Sequence, residues 1–408
     1  MSNVIKPEVL APAGDFERLE MAVQFGADAV YLGADKFGMR SSAAKFGGEE
    51  LSRAVEYAHS HGVKVYLTCN SVPTNAEIDS LEEFLLFAKE AKVDALIVAD
   101  IGILMAAKRV VPEIDIHIST QAGVVNYLTA NELYKLGAKR VVLARELSFD
   151  DIIEIRNKTP KDLEIETFVH GAMCMSFSGR CTLSQYLTNR DANRGECSQP
   201  CRWGYYLMEE KREGQYFNIF EDEKGTYILN AKDLCMIEHI NKLVDAGITS
   251  LKIEGRAKSA YYVAVVTNAY RVAVDEYVKD PENFVLPQWL MDEVQKVSHR
   301  KYNNGFYFGP PEEGQYYETS GYIRNCDIIG VVEECKDGRV FCTQRNKFFS
   351  GDEVEILEPQ NKPIKLKIED LRNENLEEIE TANHAMMNFS FKNENIFKKG
   401  SIIRKEVQ

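Results

Sequence analysis

Glu8-Val9-Leu10-Ala11-Pro12-Ala13-Gly14-Asp15 and Gly26-Ala27-Asp28-Ala29-Val30-Tyr31-Leu32-Gly33 decide the fold. Each holds an apolar run short enough for one buried strand. The first closes on a Pro-Ala-Gly turn whose aspartate can cap a helix, and the second is entered through a glycine that can end one. The pattern repeats outward from them. Gly62 precedes Val63-Lys64-Val65-Tyr66-Leu67, Val93-Asp94 precedes Ala95-Leu96-Ile97-Val98, and Asp115-Ile116-His117-Ile118-Ser119 follows Pro112. Gly137-Ala138 precedes Lys139-Arg140-Val141-Val142-Leu143, and Glu164-Ile165-Glu166-Thr167-Phe168-Val169 makes a seventh strand. Ser250-Leu251-Lys252-Ile253-Glu254, after Gly247-Ile248, makes an eighth. Between them, runs such as Leu51 to Ala58 and Leu81 to Lys89 carry apolar residues at three- and four-residue intervals, the period of a helix with one buried face. Eight strands alternating with helices predict an α/β fold, a TIM-type (β/α)8 barrel over residues 1–279 with its chemistry at the C-terminal strand ends. A doubly wound open sheet is the alternative, but no Gly-x-Gly-x-x-Gly follows the first strand.

One interval breaks the rhythm. About eighty residues separate the seventh and eighth strands, an elaborated loop at 171–249 over the active face of the barrel. Within it Tyr205-Tyr206-Leu207-Met208 and Tyr227-Ile228-Leu229 read as a small hairpin. Residues 259–279 close the barrel as a helix, 287–299 form another, and 280–319 read as a helical linker. From 320 to 408 the chain turns to short strands such as Ile328-Ile329-Gly330-Val331-Val332 and Arg339-Val340-Phe341-Cys342-Thr343, with turns at Asp337-Gly338 and Ser350-Gly351-Asp352. This region is expected to be a small all-β barrel.

The 49 basic and 63 acidic side chains leave a formal charge of −14, which argues against a chain that coats nucleic acid but leaves room for a local RNA patch. No stretch approaches the roughly 20 apolar residues of a membrane helix. The N-terminus lacks the apolar core and cleavage site of a secretory signal, so a cytoplasmic location is expected, where disulfides are disfavoured. Four of the nine cysteines fall between positions 174 and 201. In a reducing compartment such clustering points to metal or redox chemistry.

The densest motif leaves the seventh strand: Glu166-Thr167-Phe168-Val169-His170-Gly171-Ala172-Met173-Cys174, then Gly179-Arg180-Cys181-Thr182-Leu183-Ser184. It resembles the signature of the collagenase-like peptidase family U32, Glu-x-Phe-x-x-Gly-Ala-Met-Cys followed by Gly-x-Cys-x-Leu-Ser. Asp191 to Trp203, Lys232-Asp233-Leu234-Cys235 and Leu251-Lys252-Ile253-Glu254-Gly255-Arg256 also resemble family motifs, so the likeness spans nearly the whole chain. Gln344-Arg345-Asn346-Lys347-Phe348, followed by Gly351-Asp352-Glu353-Val354, resembles the subgroup concerned with tRNA hydroxylation. The resemblance implies an enzyme of oxygen-independent, prephenate-dependent hydroxylation, converting the wobble uridine of tRNA to 5-hydroxyuridine. It also implies a 4Fe-4S cluster, prephenate as hydroxyl donor, and a partner chain of the same family. By family spacing the cluster ligands are Cys174, Cys181, Cys197 and Cys235, with Cys201 the alternative fourth. Four thiolates suit such a cluster, and they would equally suit zinc.

A dicarboxylate donor calls for cations at the barrel mouth, because arginine binds carboxylates bidentately and keeps its charge. His170 at the end of the seventh strand, Arg145 after the sixth, and Glu254 and Arg256 at the end of the eighth are the catalytic candidates. Arg180, Arg194, Arg202 and Lys258 are further candidates for substrate binding. Asn70 and Gln121, just past the third and fifth strands, offer polar contacts. Arg345, Lys347 and Phe348 combine charge with a stacking surface for RNA. The peptidase alternative rests on His170 as a base near Cys174, since neither His-Glu-x-x-His nor Gly-x-Ser-x-Gly occurs. His170 could also do no more than satisfy groups at a strand end. A third reading is a non-catalytic iron–sulfur or zinc scaffold that holds RNA for a partner enzyme.

Overall fold

The computed structural model of the chain describes residues 5–39, 46–174, 176–203, 220–222, 225–227, 232–309 and 322–407. Strands and helices alternate from the start: β1 (Glu8–Pro12), α1 (Phe16–Gln24), β2 (Ala29–Gly33), α2 (Glu49–Ser60), β3 (Lys64–Cys69), α3 (Asn75–Ile78), α4 (Leu81–Glu90), β4 (Ala95–Val98) and α5 (Ile101–Val110). They continue with β5 (Asp115–Ile118), α6 (Tyr127–Lys135), β6 (Arg140–Val142), α7 (Phe149–Asn157) and β7 (Glu164–Ala172). Local chemistry sets the helix starts. The Asp15 side chain accepts from the Arg18 amide and so caps α1, and Asp100, Asn126 and Ser148 do the same for α5, α6 and α7.

After β7 come α8 (Leu183–Thr188), the short ladder of β8 (Phe220–Asp222) with β9 (Gly225–Tyr227), then β10 (Asp233–Cys235), α9 (Ile240–Asp245), β11 (Ser250–Ile253), α10 (Ala260–Lys279), α11 (Gln288–Val294) and β12 (Tyr302–Asn303). β1 to β7 pair in sequence order, and β11 pairs parallel with both β1 and β7. That closes an eight-stranded parallel barrel with helices on its outside. β7 overruns the barrel, so its last residues pair antiparallel with β10, and β10 carries β12. Of the hairpin expected in the insertion, Tyr205 to Met208 and Ile228-Leu229 lie outside the described residues. The outward faces of the strands and the inward faces of the helices form one large apolar core. Inside the barrel a smaller set, Leu10, Ala29, Tyr31, Tyr66, Ala95 and Ile97, packs by itself.

The C-terminal region holds β13 (Cys326–Lys336), β14 (Arg339–Gln344), β15 (Phe348–Phe349), β16 (Glu353–Leu357), β17 (Ile364–Lys367), β18 (Arg372–Asn373), β19 (Thr381–Ala382), β20 (Asn388–Lys392) and β21 (Ile402–Glu406). Here the expectation of a closed all-β barrel is overturned. Seven strands run in the order β17-β16-β21-β13-β14-β20-β18, β15 and β19 form a separate ladder, and the outer strands β17 and β18 do not meet. The sheet is an open half-barrel. Its end strands are too short to close it, β18 offering only two residues. The sheet still buries a core of its own, built around Phe348, Phe389 and Phe391, while Val331, Leu357 and Ile402 join the core cluster of the barrel helices. No helix among the described residues is long and apolar enough to cross a membrane.

Candidate active site

The site is built from the inside of the barrel upward. Because alternate residues of a strand share a face, Glu8, Arg140, Glu166 and Lys252 all point into the barrel. Arg140 reaches Glu8 (Nη1 to Oε1, 2.7 Å), Glu164 (Nε to Oε2, 2.7 Å) and Glu166 (Nη1 to Oε2, 3.1 Å). The other Glu166 oxygen takes a bond from Lys252 Nζ at 2.6 Å. Burial alone would raise the Glu8 carboxyl, but Arg140, with hydrogen bonds from Tyr66 and Ser250, outweighs it and holds the pKa below its ordinary value. Lys252 is the upper end of this network and reaches the cavity above it. Sequence reasoning missed Lys252 as a site residue. The signal was present in Ser250-Leu251-Lys252-Ile253-Glu254, whose alternation sets three polar residues on one face and two aliphatic ones on the other.

At the C-terminal strand ends a cavity of about 180 Å³ opens. Asn70, Gln121, Arg145, Glu254 and Arg256 all line it. Arg256 is buried and donates from Nη1 to Thr68 Oγ1 at 3.1 Å. Its course explains a glycine: a Cβ at Gly33 would stand 2.3 Å from Arg256 Nη1. Gly171, at φ +107°, lets the Glu254 backbone pass, since a Cβ there would lie 2.4 Å from the Glu254 carbonyl oxygen. Arg145 donates to the Ala172 carbonyl at 3.0 Å and lies over the Phe168 ring. Asn70 Nδ2 donates to Ser119 Oγ at 3.2 Å. Gln121 is only 4% exposed, and its Oε1 has no hydrogen-bond partner among the described residues. A buried acceptor left without a partner, on a residue that lines a cavity, is the mark of a missing donor.

The other cationic candidates lie apart from the cavity wall. Arg180 donates from Nε to the Gln121 carbonyl at 2.6 Å, so it supports the wall from behind. Arg194 pairs with Glu77 at 2.7 Å on the surface. Lys258 donates to the Ser298 carbonyl at 3.1 Å and stacks on Tyr322. The Arg202 side chain lies outside the described residues. In the C-terminal domain, Phe348 is fully buried against Phe389, Lys347 sits over the neighbouring and more exposed Phe349, and Arg345 bonds across the domain boundary to Glu17 at 3.5 Å.

Cys174, Cys181, Cys197 and Cys201 line the cavity, and no disulfide joins any of the nine cysteines. Cys235 lies elsewhere: it is buried on β10, opposite His170 in the ladder, and burial pushes its thiol up to about 12. Soft sulfur donors in this number fit an iron–sulfur cluster or zinc in kind. As they stand, no three His, Cys, Asp or Glu side chains among the described residues lie close enough together to hold a metal ion. His170 does not line the cavity that holds the other four thiols. It is 1% exposed, its Nδ1 lies 3.4 Å from Tyr270 Oη and its Nε2 3.3 Å from Tyr302 Oη. Burial, helped by the nearby His299 and Lys258 charges, pushes its pKa down to about 3.

Comparison with known proteins agrees with this architecture. The model of peptidase family U32 matches residues 14–316, and that of the peptidase family U32 C-terminal domain matches residues 324–404. The chain is 40% identical over 403 residues to tRNA hydroxylation protein P1 of Bacillus subtilis, covering 98% of this chain and 95% of that one. It is 36% identical over 412 residues to tRNA hydroxylation protein P of Escherichia coli, covering 91% and 90%. It is also 33% identical over 403 residues to a collagenase of Porphyromonas gingivalis, covering 93% of each. The chain belongs to peptidase family U32.

Proposed function

We propose that the protein is a tRNA-modifying enzyme that hydroxylates the wobble uridine to 5-hydroxyuridine, with prephenate as hydroxyl donor and a 4Fe-4S cluster at the barrel mouth. The observation that carries this reading is the cavity itself, lined by four thiols, two arginines and a glutamine whose amide oxygen is unsatisfied. Near-full-length relatives named for tRNA hydroxylation support it. Cys174, Cys181 and Cys197 would hold the cluster, with Cys235 by family spacing or Cys201 by its place in the cavity as the fourth ligand. Such a group supplies electron transfer or activation of the donor when bound.

The chain's own residues do the rest. Arg256, fixed by Thr68, and Arg145, fixed by the Ala172 carbonyl, present charged forks to a carboxylate. The orphan Gln121 oxygen meets an N–H or O–H of the substrate, and Tyr31, Ile97 and Phe168 give the cavity its apolar lining. In cells lacking the gene, 5-hydroxyuridine-derived nucleosides should disappear from tRNA digests analysed by mass spectrometry. The wild-type gene should restore them and Arg256→Ala should not. Full restoration by Arg256→Ala would remove the arginine from the site, and an unchanged nucleoside profile in the deletion would end the hydroxylation reading.

A collagenase-like peptidase is the second reading, favoured by the family's name and by the Porphyromonas gingivalis relative. A cysteine peptidase needs a thiolate beside an imidazole base. Here His170 is held by two tyrosines, and no histidine lines the cavity among the described residues. Gelatin cleavage by the metal-free protein, abolished by Cys174→Ser, would favour it nonetheless.

A further inference from the structure

Lys252 lies one layer deeper in the barrel than Glu254, since residues two apart on a strand share a face. Its Nζ is 2.6 Å from Glu166 Oε1 and stands 4.6 Å and 5.4 Å from the ring centres of Tyr31 and Phe168. Lys252, Tyr31 and Phe168 all line the cavity, so the buried ammonium forms part of its floor. An ammonium carries three N–H donors. Glu166 takes one, and aromatic faces attract the charge without accepting a strong hydrogen bond. Glu166 has no freedom to cover more of it, because its second oxygen is held by Arg140, itself bound to Glu8 and Glu164. Charged donors in a buried floor are costly unless an oxygen meets them. Above the floor Arg145 and Arg256 outnumber Glu254, so the cavity favours an anion.

We propose that Lys252 binds a carboxylate of the small-molecule donor at the cavity floor while Arg256, which lines the same cavity, faces its second acidic group. The donor is then a dicarboxylate aligned with the barrel axis, and the RNA base enters above it. The compact ammonium suits a single carboxylate oxygen, and the planar guanidinium suits a carboxylate met side-on. This inference rests on the donor-dependent hydroxylation reading and adds to it the donor's position and the residue that holds its inner carboxylate.

The test is isothermal titration of prephenate into the full-length protein as wild type, Lys252→Met, and the double variant Glu166→Gln with Lys252→Met. The double variant removes both charges of the buried pair, so it keeps the measurement readable where the single change leaves Glu166 uncompensated and unfolds the barrel. Melting temperature and tRNA affinity are measured alongside. The expected result is prephenate binding weakened by about 10- to 100-fold in the double variant, the loss of one charged hydrogen bond, with tRNA affinity unchanged. Wild-type-like prephenate binding by the double variant overturns the role of Lys252 and leaves the hydroxylation reading standing. Parallel loss of tRNA affinity and melting temperature assigns Lys252 to structure alone and also overturns it. Failure of the wild type to bind prephenate removes the donor reading and Lys252's role with it.

Discussion

Burial holds the His170 imidazole neutral between Tyr270 and Tyr302, with its pKa pushed down to about 3. In the unfolded chain the same ring titrates near 6.5. The stability that neutral His170 contributes is therefore complete above about pH 6.5 and is lost as pH falls towards 3, because the unfolded state then binds the extra proton. His170→Gln should flatten the acid limb of a stability–pH curve by up to about 1.4 kcal/mol per pH unit in that window, read by chemical denaturation at a series of pH values. An unchanged slope would contradict the buried assignment. The sequence offered His170 two roles, and its place four residues before Cys174 made the base plausible. In the structure the ring lies between Tyr270 of α10 and Tyr302 of β12 and is not among the residues lining the cavity. That Arg145, Arg256, Asn70 and Gln121 line the cavity was legible because a barrel puts strand-end residues at its mouth. Lys252 escaped notice because a lysine inside a strand ordinarily reads as solvent-facing, and only closure of the barrel buries it.

At the scale of elements, the parallel strands were legible because each is a short apolar run bounded by a helix-ending turn, as Gly62 and Gly137 show at positive φ. Two things were not legible. β10 and β12 are three and two residues long, too short for any periodicity; β10 exists through pairing with the overrun of β7, and β12 through pairing with β10. The closure of the C-terminal sheet was misjudged because strand-and-turn spacing counts strands without saying whether the first and last meet. Its open edge, β17, exposes Lys365 and Lys367. Charged side chains on an edge strand discourage pairing with another molecule. Lys365→Val with Lys367→Val should therefore promote self-association, seen as a concentration-dependent rise in sedimentation coefficient at unchanged secondary structure. A variant that sediments like the wild type would show that the edge is protected by other means.

Across the whole molecule, the barrel and the open sheet are joined by a buried charged cluster as well as by apolar packing. Arg404, fully buried on β21, bonds Glu293 at 2.8 Å through Nη1 and Glu355 at 3.0 Å through Nε, and Lys296 reaches Glu355 at 2.8 Å. The Gln360 amide donates to Asn268 Oδ1 on α10 at 2.6 Å. Such contacts hold the C-terminal sheet on the barrel's helical flank, while the thiols, arginines and Gln121 gather at the barrel mouth. The measurement that bears most directly on that mouth is iron, sulfide and zinc content after anaerobic purification, for the wild type and for single serine variants of Cys174, Cys181, Cys197, Cys201 and Cys235. The predicted result is about four irons and four sulfides per chain, lost in the Cys174, Cys181 and Cys197 variants and in one of the remaining two. Stoichiometric zinc, or no metal under those conditions, would contradict it.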